Sequence, residues 1–333
     1  MPTERPLRVA VAGLGYWGPN IARNFAGMSG AELAWCCDAD DANRARVAAA
    51  FPGARFTADF NDVLADDTVD AVALATPVPT HAELAIRVLE AGKHCFVEKP
   101  MAQSSADAEA VVAAARAADR TLMVGHLLEY HPGVMKLKEL IDSGELGRVL
   151  YIYGNRLNLG KLRADENALW SLGAHDVSVL LRLAGEEPYE VEARGESYMR
   201  EGIEDVVFCF LRFPSGKVAH MHLSWLDPHK MRRMTVVGRE KMVVFDDMEL
   251  ERKVTVYEKA PWEPASTYGE WRTRTGDISS PKIANDEPLR LELQHFLRLV
   301  EEGPGDHREA RDGLAVVRAL DRLTTSLRTG APA

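Results

Sequence analysis

Long hydrophobic runs are missing from this chain of 333 residues, and with them any segment able to span a membrane as a helix. The first residues lack the apolar stretch of a secretory leader, so a cytoplasmic location is expected. Cysteine is scarce. Cys36, Cys37, Cys95 and Cys209 all sit in apolar runs and none forms a CxxC pair. A disulfide framework and a cysteine-based metal site are therefore not expected, and the thiols read as reduced core residues. Positive charge is in deficit, with 40 Lys and Arg against 50 Asp and Glu, a net charge of −10. Such a chain has no general attraction for nucleic acid or anionic membrane, and an anionic ligand would have to meet a local cluster of cations. Repeats and low-complexity tracts are absent too. The composition that remains, 46% hydrophobic and 27% charged, is ordinary for a globular protein. The length exceeds what one core usually serves, so two domains are expected.

The stretch Gly92-Lys93-His94-Cys95-Phe96-Val97-Glu98-Lys99-Pro100 is the most informative. An apolar run stops at a lysine followed by proline, and proline keeps Lys99 out of a continuing helix. It reads as a buried strand with a cation at its carboxyl end, where open parallel sheets bind ligands. Alone, the pair reads better as a plain strand-end turn.

The N-terminus changes that weighting. Leu7–Ala12 reads as a strand, Gly13-Leu14-Gly15-Tyr16-Trp17-Gly18 follows it, and Pro19 opens a helical stretch. Strand, glycine turn and helix are the context a GxGxxG dinucleotide motif requires. Gly13 permits the turn, Gly15 lets a pyrophosphate approach the backbone, and Gly18 lets helix and strand pack closely. A second apolar run ends at Asp38, twenty residues past Gly18, where a carboxylate that accepts from the ribose 2′-hydroxyl is expected. Asp38, with Asp40 and Asp41, would repel a 2′-phosphate, so NAD is expected over NADP. An ordinary acidic strand-to-helix turn, with Asp40 as the helix cap, is the alternative.

Strands and helices alternate up to Gly125, which implies a doubly wound parallel sheet. Within it, Thr80 is expected to cap a helix over 82–91, and Ser104 or Ser105 the helix that runs to Ala118. Beyond Gly125 the pattern turns to strand-like segments in meander order, Tyr189–Tyr198 through Arg252–Tyr257, which suggests a mostly antiparallel sheet. Residues Lys259–Ala284 read as a long loop excursion, and two helices, about 287–302 and 310–327, close the chain. The expected division is a dinucleotide-binding domain at 1–125 and a substrate-binding and oligomerisation domain at 126–333. The fold class is α/β, a doubly wound Rossmann domain followed by an α/β domain on an open, mostly antiparallel sheet.

The glycine motif, Ala75-Thr76-Pro77-Val78-Pro79-Thr80-His81, Glu98-Lys99-Pro100 and Leu172-Gly173-Ala174-His175-Asp176 together resemble the Gfo/Idh/MocA oxidoreductases over nearly the whole chain. The resemblance implies nicotinamide-dependent hydride transfer at a carbinol or ketone carbon of a sugar, polyol or related substrate. It places Tyr16, Trp17, Thr76, Pro77, His81, Glu98 and Lys99 at the cofactor, with Gly13, Gly15, Gly18 and Asp38. It also places Lys99 beside the nicotinamide and His175 on a helix facing it, and it implies oligomer contacts through the open sheet, in a dimer or tetramer. His175 suits the role of proton acceptor because an unperturbed imidazole titrates near neutrality, and Lys99 suits stabilisation of the developing oxyanion. Many family members carry an aspartate four residues before the histidine. Here Ser171 stands there, so Ser171 is given a supporting role without charge.

Candidate substrate residues are Tyr153, Arg156, Asn158, Lys161 and Arg163, together with His175. Their cations suit an anionic part such as a diphosphate, and equally a solvated loop paired with Asp165 and Glu166. The block 158–187 is similar to members that oxidise nucleotide-activated amino sugars at C3. A free polyol or sugar dehydrogenase and a non-catalytic NAD-binding protein stay open beside that reading.

Overall fold

In the computed structural model, residues 5–160, 166–264 and 271–333 are described. The first elements in chain order are β1 (Leu7–Ala12), α1 (Gly18–Ala26), β2 (Ala31–Cys37), α2 (Asp41–Ala48), β3 (Arg55–Thr57), α3 (Phe60–Ala65), β4 (Ala71–Leu74), α4 (His81–Glu90), β5 (His94–Glu98), α5 (Ser105–Ala118) and β6 (Leu122–Gly125). Next come α6 (Pro132–Asp142), β7 (Val149–Leu159), α7 (Ala174–Ala184), β8 (Glu190–Glu196), β9 (Val206–Arg212), β10 (Val218–Ser224), β11 (Leu226–Gly238), β12 (Met242–Asp246), β13 (Val254–Pro264) and β14 (Trp271–Ser279). The helices α8 (Pro288–Glu302) and α9 (Arg308–Thr329) follow.

The chain forms two compact units. The first joins Met1–Leu127 to Glu287–Arg318, and the second joins Leu128–Asp286 to Ala319–Ala333. A single division at 125/126 has no place for this return. The return has a packing reason inside the first unit: Phe296 of α8 meets Phe96 of β5 edge-on at 5.7 Å, and Glu287 pairs with Arg23 and Asn24 of α1.

The first unit's sheet has the order β3-β2-β1-β4-β5-β6, every pair parallel. Its strands are apolar along their length because helices cover both faces; Val9, Val11, Val72, Cys95, Phe96 and Val97 are fully buried. The connections reverse at β1, which has β2 on one side and β4 on the other. This is the switch point where doubly wound sheets open a ligand crevice.

The second unit's sheet runs β14-β13-β12-β11-β7-β10-β9-β8 and is antiparallel apart from the β7–β10 pair. Alternation along β9 buries Val207, Cys209 and Leu211 and leaves Phe208 53% exposed. The expected excursion over Lys259–Ala284 is corrected: much of it is strand, since β13 and β14 pair as an antiparallel arm. Its Pro, Ser, Thr and Gly content hides the period-2 pattern on which a strand assignment depends. Ser104 caps α5 as expected, by accepting from the Asp107 N–H. Thr80 does not cap α4 with its side chain, because its hydroxyl bonds to the Thr76 hydroxyl and the Pro77 carbonyl, each at 2.8 Å. Leu314, Val317, Leu320 and Leu323 of α9 are buried, as their helical spacing predicts. Among the described residues no helix is long and apolar enough to cross a membrane.

Candidate active site

The glycine turn between β1 and α1 is built by exclusion. Gly13 has φ +90°, and a Cβ there would lie 2.5 Å from the Ala75 backbone. At Gly18 a Cβ would lie 1.8 Å from the Gly13 carbonyl oxygen. Gly15 differs, for a Cβ there would meet nothing within 4 Å. The turn therefore needs two glycines for its own packing and keeps a third where open space borders the backbone, the arrangement that admits a phosphate.

Asp38 closes this turn from the end of β2. Its carboxylate accepts from the Leu14 N–H at 2.6 Å, from the Asp40 N–H at 2.8 Å and from Asn43 at 3.2 Å. Asp40 caps α2 through the Ala42 N–H. Arg44 donates to the Asp38 carbonyl, and Arg46 donates to the carbonyls of Leu14 and Gly15 at 2.6 and 2.8 Å. Neither arginine was singled out from the sequence as part of the turn. They lie on α2, and only the fold brings α2 against it.

On the other side of β1, Trp17 lies near the Glu98 carboxyl at the end of β5, and Tyr16, 92% exposed, stacks on Trp17. Burial pushes the Glu98 carboxyl up to about 7, with the Lys99 charge, the Lys99 N–H and Trp17 pulling the other way. Lys99 is half-buried at the mouth of β5, and its backbone N–H donates to Glu98 at 3.2 Å.

His81 is 1% exposed, and its ring spans two carbonyls, with Nδ1 2.8 Å from Pro100 O and Nε2 2.8 Å from Thr76 O. Both nitrogens are thus spent on backbone. Instead of reaching a ligand, the ring braces the turn after β4, which carries Thr76 and Pro77, against the segment that follows Lys99. Burial lowers its pKa, the two carbonyls oppose that, and the Lys99 charge adds to it.

In the second unit, His175 stands at the start of α7, just after one π-type turn, Leu169–Gly173, that carries Ser171. Such turns recur at functional sites. Asn167 holds this one by accepting from the Trp170 N–H, while its amide donates to Glu204 at 2.7 Å. Gly173 lets the helical run press onto β10, since a Cβ there would lie 2.7 Å from Leu223.

The cluster of substrate candidates is redistributed. Arg156 is bound to Asp176, through its Nε and through a second bond of 3.3 Å, and both side chains are nearly buried. Its charge is matched inside the unit, where it ties β7 to the first turn of α7. Tyr153 points to the opposite face of the sheet, stacked on His220 at 5.1 Å and near Tyr151 at 6.0 Å. Asn158 lies on the Arg156 side of the strand, and its buried Oδ1 has no hydrogen-bond partner among the described residues. Lys161 and Arg163 lie outside the described residues. The anion cluster expected from the sequence therefore loses Arg156, because alternation and a buried acid decide what a strand cation meets.

Two family models match the chain: an oxidoreductase family with an NAD-binding Rossmann fold over residues 7–126, and a GFO/IDH/MocA C-terminal domain over residues 134–244. The chain belongs to the Gfo/Idh/MocA family. Family members similar to it include a UDP-N-acetylglucosamine 3-dehydrogenase of Acidithiobacillus ferrooxidans, 30% identical over 72% of this chain and 74% of that protein. An inositol 2-dehydrogenase of Rhodococcus erythropolis is 33% identical over 99% of this chain and 95% of that one. Among solved structures, the A. ferrooxidans UDP-N-acetylglucosamine 3-dehydrogenase superposes with a TM-score of 0.81 at 25% identity, covering 97% of this chain and 98% of that one. As a Gfo/Idh/MocA member the chain is a nicotinamide-dependent dehydrogenase acting on CH–OH groups, with NAD as its cofactor. The open backbone at Gly15 and the carboxylate at the end of β2 fit that group.

Proposed function

We propose that this dehydrogenase transfers a hydride between NAD and a secondary alcohol or ketone carbon of a sugar, with C3 of a nucleotide-activated amino sugar as the favoured substrate. The observation that carries the hydride-transfer reading is the placement of Lys99. It sits at the carboxyl end of β5, where Trp17 of the glycine turn lies near the adjacent Glu98 carboxyl. Bound NAD supplies the hydride acceptor, held by Gly13, Gly15, Gly18 and Asp38. On this reading Lys99 donates a hydrogen bond to the substrate oxygen, and His175 takes its proton as the carbinol becomes a carbonyl. Ser171, one helical turn before His175, bonds a substrate hydroxyl or a water.

The preference for an amino sugar rests on the likeness of block 158–187 and on the A. ferrooxidans relative. Two observations favour a second reading, a free polyol substrate. The inositol dehydrogenase relative aligns over almost the whole chain, and Arg156 is spent on Asp176. The open sheet of the second unit supports self-assembly: Tyr151, Tyr153, Phe208, His220 and His222 form an aromatic face, with Phe208 stacked on His222 at 4.3 Å.

The test is NADH formation across UDP-N-acetylglucosamine, other UDP- and dTDP-sugars, and myo- and scyllo-inositol. Turnover confined to nucleotide sugars supports the first reading, turnover of inositols the second, and no turnover a non-catalytic NAD-binding protein. Lys99→Met should lower kcat by about 10²-fold or more while NAD affinity changes little. Near-normal turnover would remove Lys99 from the reaction.

A further inference from the structure

The last register pair of β5 and β6 is Glu98 with Gly125. The residues that follow, Lys99 and His126, are therefore neighbours at the carboxyl edge of the first unit's sheet. His126 is 6% exposed, and neither of its ring nitrogens has a hydrogen-bond partner among the described residues. Only its backbone is engaged, through the N–H to Val124 O at 2.8 Å. Burial, with the Lys99 charge behind it, pushes the ring's pKa down to about 3, so the imidazole is neutral, with one N–H to donate and one bare nitrogen to accept. A buried donor and acceptor both left unmet are costly, and native structures keep such groups where something else supplies the partner.

The place in the sheet says what that partner is. The glycine turn follows β1 and Asp38 ends β2, so a dinucleotide with its pyrophosphate on the turn lays its adenosine half toward β2. Its nicotinamide half lies toward β4, β5 and β6. His126 stands at the end of β6, on that side. A nicotinamide carboxamide offers one carbonyl acceptor and one amino donor, the complement of a neutral imidazole. We propose that His126 is a cofactor-site residue whose ring turns to hydrogen-bond the nicotinamide carboxamide of bound NAD. This rests on the strand ends of the first unit as the cofactor site, and it holds whichever sugar is the substrate.

Calorimetry with NAD and with ADP-ribose, which lacks the nicotinamide, separates this role from a packing role. His126→Phe keeps a planar ring and removes both polar atoms; it should weaken NAD by about tenfold or more and leave ADP-ribose within about twofold. His126→Gln keeps a donor and an acceptor and should recover most of the NAD affinity. Equal losses for the two ligands, or no loss for either, would overturn the proposal. Should the variants fail to fold, the wild-type chain with ¹⁵N-labelled histidine, its ring signals assigned through the backbone, decides instead. The His126 ring nitrogens should shift on adding NADH and not on adding ADP-ribose. Unmoved signals, or equal shifts with both ligands, would reject the contact. None of these readouts uses turnover, so an error in the proposed substrate or in the role of Lys99 would leave them unchanged.

Discussion

Asp38 has two tasks, and they predict different losses. It accepts from the Leu14 N–H and so shapes the glycine turn, and its charge opposes a 2′-phosphate. Asp38→Ala should lower NAD affinity by about tenfold through the loosened turn and bring NADP closer to NAD. Titration of both cofactors measures the two effects together, and a preference for NAD as strong as the wild type's would show that Asp38 does not set it. Glu98 predicts a pH dependence. The folded carboxyl keeps its proton up to about pH 7, whereas the unfolded chain releases it near 4.5. Between those values the folded state holds more protons, so this group's contribution to stability is present at the acid end and is lost as pH rises through the window. The melting temperature of the wild type should therefore fall relative to that of Glu98→Gln as pH rises from about 4.5 to 7. Parallel curves for the two proteins would show that Glu98 is not the group responsible.

At the scale of elements, the β1–α1 turn separates folding from binding. Gly15→Ala places a methyl where nothing lies within 4 Å, so the chain should fold with near-normal stability. The same methyl stands where a phosphate approaches, and NAD affinity should drop by about tenfold or more. Gly18→Ala presses a methyl onto the Gly13 carbonyl, 1.8 Å away in the unrelaxed backbone, and should cost about 1–3 kcal/mol as helix and strand move apart. Thermal melts and NAD titration of the two variants should thus give opposite patterns. An unfolded Gly15→Ala, or a Gly18→Ala as stable as wild type, would contradict this account. Two other ties work at this scale: the His81 ring joins the ends of β4 and β5, and the Arg156–Asp176 pair joins β7 to α7.

At the scale of the whole molecule, the outer face of the second unit's sheet predicts assembly. Monomers rarely leave stacked aromatic side chains together on an open sheet face, and such faces mark interaction sites. The chain of 36.8 kDa should scatter light as a dimer or larger at micromolar concentration. Phe208→Asp, placed among these rings, should shift it toward the monomer. A wild type that scatters as one chain would reject this use of the face.

Much of this was legible in the residues. Gly13, Gly15, Gly18, Asp38 and the apolar runs before them spelled out the first sheet, because a parallel sheet covered on both faces demands continuous apolar strands and a tight turn demands glycine. The start of α7 at Ala174 and the buried stripe of α9 were legible for the same reason, since periodicity records burial. The tertiary structure decided the rest. Only the strand order places Lys99 beside His126, and only packing spends both His81 nitrogens on backbone carbonyls. Only the pairing of β7 with the first turn of α7 neutralises Arg156, which the sequence shows as a bare cation. A side chain's type and spacing follow from the chain, whereas its partner depends on elements distant in sequence, and the partner decides whether a charge or an imidazole remains available to a ligand.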